Sequence, residues 1–300
     1  MVIRLSHSSL GTFNTCERLF QLKKLLDTST YVGDVGNPTF ILGHAFETGV
    51  ISYLKYQDKE RAQFEAWLRW YHLSPEGEYS FPTDQKRSPY ILTKILKKAF
   101  PLLDDILLDH RIASFQGKPA IQLSFRIDIS ENFYYVGFID FILHNMITKK
   151  YSVWDCKSTA LTLQDLTPIY IHSNQLISYS TVLDAIVGEE LASYDISYFT
   201  AQLQDDPKLK IYEFAKTLKD RLDFFISLKL DVQRIENLQS LGIFPKREKG
   251  CLSYNRPCSY LQFCSLHSLD NLQKSEEVDD TEYQFTFSLD DLIANHLKRI

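Results

Sequence analysis

The sequence predicts an α/β fold with an N-terminal helical part. Three observations carry that reading. The spacing of apolar residues changes from three and four to two near residue 121. Three alternating runs then follow one another across short polar turns, up to residue 157. Beyond them the chain reads helix, strand, helix.

Ser8 or Ser9 is placed to cap a helix starting near Leu10, which sets Leu10, Phe13, Cys16 and Phe20 on one face. Residues 40–57 and 58–73 read as two further helices. The stretch 74–89, SPEGEYSFPTDQKRSP, is a loop by its Pro, Gly and Ser content. A long helix is expected over 90–112. In IQLSFRIDI, Ile121, Leu123, Phe125, Ile127 and Ile129 alternate with polar residues, as in a half-buried strand. Residues 133–143 form the returning strand and 151–157 the third. A helix is expected over 172–187, a strand over 193–203 and a long helix over 209–240. Residues 243–268 hold three cysteines and little periodicity, and 270–282 read as an acidic linker. The end, YQFTFSLDDLIANHLKRI, reads as a strand and a helix capped by Ser288.

An apolar content of 44% over 300 residues is enough for a sizeable core. The formal charge of −5 does not advertise a nucleic-acid binder, but a basic groove can sit on an acidic protein. No apolar run reaches the roughly 18 residues of a membrane span, and MVIRLSHSSL lacks a signal-peptide apolar core. A cytoplasmic location is therefore expected, in a host's cytoplasm if the source is viral. In that compartment five cysteines point to metal or chemistry rather than to disulfides.

Two acids stand out. Asp140 interrupts VGFIDFIL and Asp155 interrupts YSVWDCK. An unpaired acid in an apolar strand costs several kcal/mol, so each needs a partner or a metal. On successive antiparallel strands the two can face each other, and Lys157 shares the face of Asp155. Two carboxylates beside a lysine suit Mg²⁺ or Mn²⁺. The main-chain carbonyl of Cys156 would add a hard oxygen ligand, with its thiol on the opposite face.

This constellation resembles the PD-(D/E)XK nuclease superfamily, and within it the RecB-like branch, which includes AddB-type, CRISPR-associated RecB-like and many phage exonucleases. Gly137–Asp140 is similar to the family's G-x-x-D, and Asp155–Thr159 to its D-x-K-T. Asn174–Tyr179 resembles its Q-x-x-x-Y motif, with Gln175 and Tyr179 on one helical face. In LGHAFETG (42–49) the family's histidine ligand, counted from Gly43, is replaced by Glu47, while His44 follows the glycine directly. Glu47 is the preferred ligand and His44 the alternative. The resemblance implies a restriction-endonuclease-like core, a central mixed sheet flanked by helices. It implies one nuclease domain over 1–268: a helical part (1–115), a catalytic core (116–242) and a cysteine segment (243–268) closing onto Cys16. A linker and strand–helix tail (269–300) follow, with the tail a candidate dock for a replication or recombination protein. The implied activity is metal-dependent DNA cleavage, by an exonuclease. Lys157 would orient the attacking water or offset phosphate charge, and Gln175 and Tyr179 would position the strand or the lysine. Lys149, Lys150, Lys246, Arg247 and Arg256 are candidates for the phosphate track.

Cys251, Cys258 and Cys264 run C-x6-C-x5-C, three thiols within a short irregular segment. With Cys16 they make four thiolates, a set that suits zinc or a 4Fe–4S cluster. RecB-like nucleases with an iron–sulfur staple carry one cysteine before the core and three after it. SSLGTFNTC (8–16) is similar to the stretch around their first cysteine. Their usual C-x2-C-x5-C becomes C-x6-C-x5-C here, which leaves His267 as a substitute ligand. Two other readings stay open at this stage: a catalytically degenerate nuclease fold that binds or scaffolds DNA, and a zinc or redox protein.

Overall fold

The computed structural model describes residues 2–26, 38–74, 87–253, 256–264 and 281–300. His267, nearly all of the 74–89 loop and most of the 270–282 linker lie outside them.

The chain starts on a short strand, β1 (Ile3–Leu5), and then α1 (His7–Thr15). The cap of α1 is Ser6, earlier than the expected Ser8 or Ser9. Ser6 Oγ accepts from the Ser9 amide, and Ser9 Oγ accepts from the Ser6 amide. Ser9 is thus the second half of a reciprocal capping box, not the cap itself. α2 (Glu17–Phe20) follows, then α3 (Pro38–Tyr56), α4 (Lys59–Leu73) capped by Asp58, and α5 (Pro89–Ile106) capped by Ser88. After α5 come β2 (His110–Ile112), β3 (Ser114–Phe115), β4 (Lys118–Pro119), β5 (Ile121–Ser130), β6 (Phe133–Asn145) and β7 (Tyr151–Thr159). The next elements are α6 (Thr167–Ile171), α7 (Asn174–Val187), β8 (Ala192–Gln202), β9 (Lys208–Ala215) and α8 (Leu218–Leu241). The chain closes with β10 (Leu252–Ser253), β11 (Arg256–Pro257), α9 (Leu261–Cys264), β12 (Phe285–Ser288) and α10 (Leu289–Leu297).

Two further expectations are corrected. The helix expected over 90–112 ends at Ile106, because His110–Ile112 pair antiparallel with Leu143–Asn145 of β6. The helix expected over 209–240 is two elements. Residues 208–215 pair antiparallel with β8 in register from Asp195↔Ala215 to Gln202↔Lys208. The Asp205-Asp206-Pro207 turn makes that hairpin available, and sheet pairing decides the conformation over local propensity.

The fold is α/β, a mixed sheet flanked by helices. By contacts the chain divides into two compact units, one of residues 1–34, 124–137 and 222–300 and the other of 35–123 and 138–221. In the first, β1 runs parallel to the start of β6, Ile3 beside Phe133, and β12 runs parallel to β5, Phe285 beside Phe125. Ser288 caps α10 as the sequence suggests, its hydroxyl accepting from the Asp291 amide.

The second unit holds the larger core. β6 and β7 are antiparallel, β7 and β8 parallel, β8 and β9 antiparallel. Phe141, Leu143, Trp154, Cys156 and Phe199 face a buried layer from α3, α4 and α5, including Phe46, Leu92, Leu96 and Ala66. Alternation then turns Asp140, Asp155 and Lys157 to the opposite face. The helices approach closely at two glycines of α3. A Cβ on Gly43 would lie 3.2 Å from Ser158 Oγ of β7, and one on Gly49 would lie 2.7 Å from Leu96 Cδ2 and 3.1 Å from Ala66 Cβ. Gly49→Val is expected to cost about 2 kcal/mol by overpacking this junction, measured by urea unfolding; an unchanged midpoint would contradict the close approach.

Candidate active site

β6 and β7 bring the two unusual acids together. Phe141 pairs with Trp154, and one step further Asp140 lies beside Asp155. The Cys156 amide donates to Asp140 Oδ2 at 2.9 Å, so Asp140 is tied to the β7 main chain. Asp155 is fully buried. Its Oδ1 accepts from Gln175 Nε2 at 3.1 Å, and the same amide nitrogen donates to the Tyr179 hydroxyl at 3.0 Å. Gln175 and Tyr179 are one turn apart on α7, whose first turn is fixed by Ser173 Oγ accepting from the Gln175 amide. Asp155 Oδ2 lies 2.6 Å from Lys157 Nζ. At that distance the pair is hydrogen-bonded as well as ionic, so Lys157 and Gln175 each take one of the two buried Asp155 oxygens.

Glu47 reaches the same cluster from α3. Its side chain is 13% exposed, Oε2 lies 3.5 Å from His44 Nδ1, and Oε1 accepts from Gln122 Nε2. His44 itself is more open and packs edge-on against the Phe40 ring at 4.2 Å.

The electrostatics follow from three carboxylates and one ammonium. Burial, then the charges of Asp155 and Glu47, push the Asp140 carboxyl well above its usual range. Burial also raises Asp155, with Lys157 pulling the other way and Glu47 adding to the rise. For Lys157, loss of water works against the charge, but Asp155 and Asp140 outweigh it and hold the ammonium more firmly protonated than a free lysine. The site therefore carries more negative charge than it balances. The carboxylate oxygens of Asp140, Asp155 and Glu47 form a donor set whose chemistry suits a hard divalent cation. As the side chains stand, no three His, Cys, Asp or Glu among the described residues close into a metal cage. The Cys156 thiol is buried in the helical core, and burial pushes its pKa well up.

The remaining expected residues fall elsewhere. Lys149 and Lys150 lie exposed in the β6–β7 turn. Lys246 is exposed in the other unit, and Arg256 contributes its main chain to the β10–β11 pair. Arg247 grips a buried acid that sequence reasoning missed. Glu17 is 2% exposed and accepts from Arg247 Nε at 2.9 Å, from Arg247 Nη2 at 3.0 Å and from Arg234 Nη2. The Arg247 hydrogen bond, against the cost of burial, holds the Glu17 carboxyl below its usual range. The sequence carries no local signal for this group, since its partners are 217 and 230 residues away.

Beside Glu17 lies the cysteine segment. A Cβ on Gly250 would fall 2.6 Å from Cys16 Cβ, and the Arg18 amide donates to the Pro245 carbonyl at 3.0 Å. The Cys258 amide donates to the Cys251 carbonyl at 2.9 Å. Burial raises the Cys264 thiol, which also feels Cys16 and Cys258. The four thiols thus share one region of one unit, but they too do not close into a metal cage among the described residues.

With the fold and this geometry in view, comparison with known proteins defines the class. The sequence model of the PD-(D/E)XK nuclease superfamily matches residues 4–265. The chain belongs to that superfamily. No curated protein matches it. Among solved structures it is similar to a candidate exonuclease from Eubacterium rectale, at 12% identity and a TM-score of 0.47 over 87% of this chain and 93% of that one. It is also similar to a protein named SSO0001, at 16% identity and a TM-score of 0.30 over 75% of this chain and 94% of that one. The assignment rests on the family match and not on these distant likenesses. No helix among the described residues is long and apolar enough to cross a membrane.

The raised carboxyls carry a sign. A group whose pKa is higher in the folded state stabilises the fold below its unfolded pKa and loses that contribution as pH rises through the folded value. The metal-free protein should thus lose stability from the ordinary carboxylate range upward. Asp140→Asn, which keeps an acceptor for the Cys156 amide, should gain about 1 kcal/mol at neutral pH and little near pH 4. Thermal melts across pH in a chelator check this; equal gains at both pH values would contradict it.

Proposed function

We propose that the protein is a metal-dependent DNA nuclease, acting as an exonuclease in recombination, replication, repair or DNA degradation. One observation carries the reading: the buried Asp155 ion-paired to Lys157 at 2.6 Å, with Asp140 beside it on the neighbouring strand. Asp140, Asp155, Glu47 and the Cys156 carbonyl would hold Mg²⁺ or Mn²⁺, His44 being the alternative to Glu47. A bound divalent ion supplies a more acidic water and a counter-charge for the phosphate. The chain does the rest. Asp155 and Asp140 keep Lys157 charged, and its ammonium has further donors for a phosphate oxygen or the attacking water. Gln175 would hold the Asp155 carboxylate in one orientation by donating to it from Nε2, which also donates to the Tyr179 hydroxyl. Lys149, Lys150, Lys246 and Arg256 are the remaining phosphate-track candidates, since Arg247 is occupied by Glu17.

End-labelled single- and double-stranded DNA with Mg²⁺, Mn²⁺ or EDTA tests this. Asp155→Ala and Lys157→Ala should cut activity at least about 1000-fold, as loss of groups acting together at the transition state does, while DNA binding persists. Glu47→Ala should lose far more than His44→Ala. Near-normal cleavage by Asp155→Ala would overturn the nuclease reading, and DNA binding by the intact protein without cleavage would leave a degenerate nuclease fold.

We further propose a 4Fe–4S cluster on Cys16, Cys251, Cys258 and Cys264, supported by the gathering of these thiols in one region. Its role would be to fasten the chain ends, with no catalytic step. Anaerobically purified protein should then be brown, and alanine at any one of the four should bleach it while Cys156→Ala should not. Colourless protein with about one zinc per chain would make the clasp a zinc site; colourless, metal-free protein would remove it.

A further inference from the structure

Four residues other than glycine have a positive φ among the described residues: Gln57, Gln116, Gln122 and Lys149. Gln57 follows α3, Gln116 joins β3 to β4, and Lys149 lies in the β6–β7 turn. Gln122 alone sits inside a strand, at φ 48° in β5. A left-handed residue is unfavourable for any side chain with a Cβ, and within a strand it breaks the ladder. Such strain persists only where surrounding contacts enforce it, and it gathers at functional sites. The contact that Gln122 makes is with the candidate site: its side-chain amide donates to Glu47 Oε1.

We infer that Gln122 is a positioning residue that holds Glu47 toward the metal side of the two aspartates. This rests on the metal-site reading proposed above. Glu47 also projects its charge onto Asp140 and Asp155, whose carboxyls burial raises first. Without a bound cation, that repulsion drives a freely rotating Glu47 outward. A lysine or arginine at position 122 would hold the carboxylate but neutralise it as a ligand. The glutamine amide is a neutral donor. It occupies one oxygen of Glu47 without cancelling the carboxylate's charge, as outer-shell groups of metal sites do.

The test measures Mn²⁺ binding directly, by electron paramagnetic resonance of free Mn²⁺, alongside thermal melts and the Mg²⁺ dependence of cleavage. Gln122→Ala should weaken Mn²⁺ binding about 10-fold to 100-fold. The Mg²⁺ concentration for half-maximal cleavage should rise similarly, and the rate at saturating Mg²⁺ should fall much less. Gln122→Gly should lose the same affinity while its metal-free melting temperature rises by roughly 2 °C, because glycine tolerates the left-handed conformation. A purely structural residue would show the melting shift with no change in Mn²⁺ binding. If Asp155→Ala loses Mn²⁺ but both Gln122 variants bind like the parent, the inference about Gln122 is wrong and the metal site stands. If the parent protein binds no Mn²⁺, or Asp155→Ala binds it unchanged, the site reading fails and takes this inference with it.

Discussion

Much of the second unit is arranged around the burial of one charge, the Asp155 carboxylate. An ion taken out of water costs several kcal/mol unless its partners are close and well aimed. Lys157 and Gln175 meet that demand from two directions. To supply Gln175, α7 must dock against β7 with its first turn over the acid. To place Lys157 on the same side, β7 must keep strict alternation, which sends Trp154 and Cys156 into the helical core. To bring Glu47 near, α3 must approach β7 so closely that a Cβ on Gly43 would sit 3.2 Å from Ser158 Oγ.

The protein buries acids in two opposite ways. Glu17 is met by two guanidinium groups and its carboxyl is held below the usual range. Asp140 and Asp155 share one ammonium, and their carboxyls are held above it. The first arrangement is internally balanced and joins distant parts of the chain. The second is left short of positive charge, the pattern expected where a cation or a reacting group completes the balance.

The strands of the central meander were legible because their alternation is regular, and Asp140 and Asp155 because they interrupt it. Gln175 and Tyr179 could be read as one helical face because they are four residues apart. What escaped the sequence depends on contacts distant in the chain. β1 is only three residues and is a strand because Phe133–Tyr135 lie beside it. β9 carries residues that also suit a helix, and only its pairing with β8 decides. Gln122 is neither the glycine nor the asparagine that usually marks a left-handed residue, so its conformation and its contact with Glu47 were invisible in the sequence. Glu17 reads as an ordinary surface acid until Arg234 and Arg247 are beside it.

The discontinuous make-up of the first unit has a consequence for synthesis. Its segments are residues 1–34, 124–137 and 222–300, so a ribosome finishes residues 35–221 before it makes the unit's last and longest segment. Glu17 emerges 217 residues ahead of Arg234. At about 5–20 residues per second it waits on the order of 10–40 s for that counter-charge. During that interval Asp140, Asp155 and Lys157 are made and come to have one another, whereas Glu17 in the α1–α2 segment still lacks both guanidinium groups. Chaperone dependence and misfolding in this protein should therefore concentrate at the α1–α2 segment.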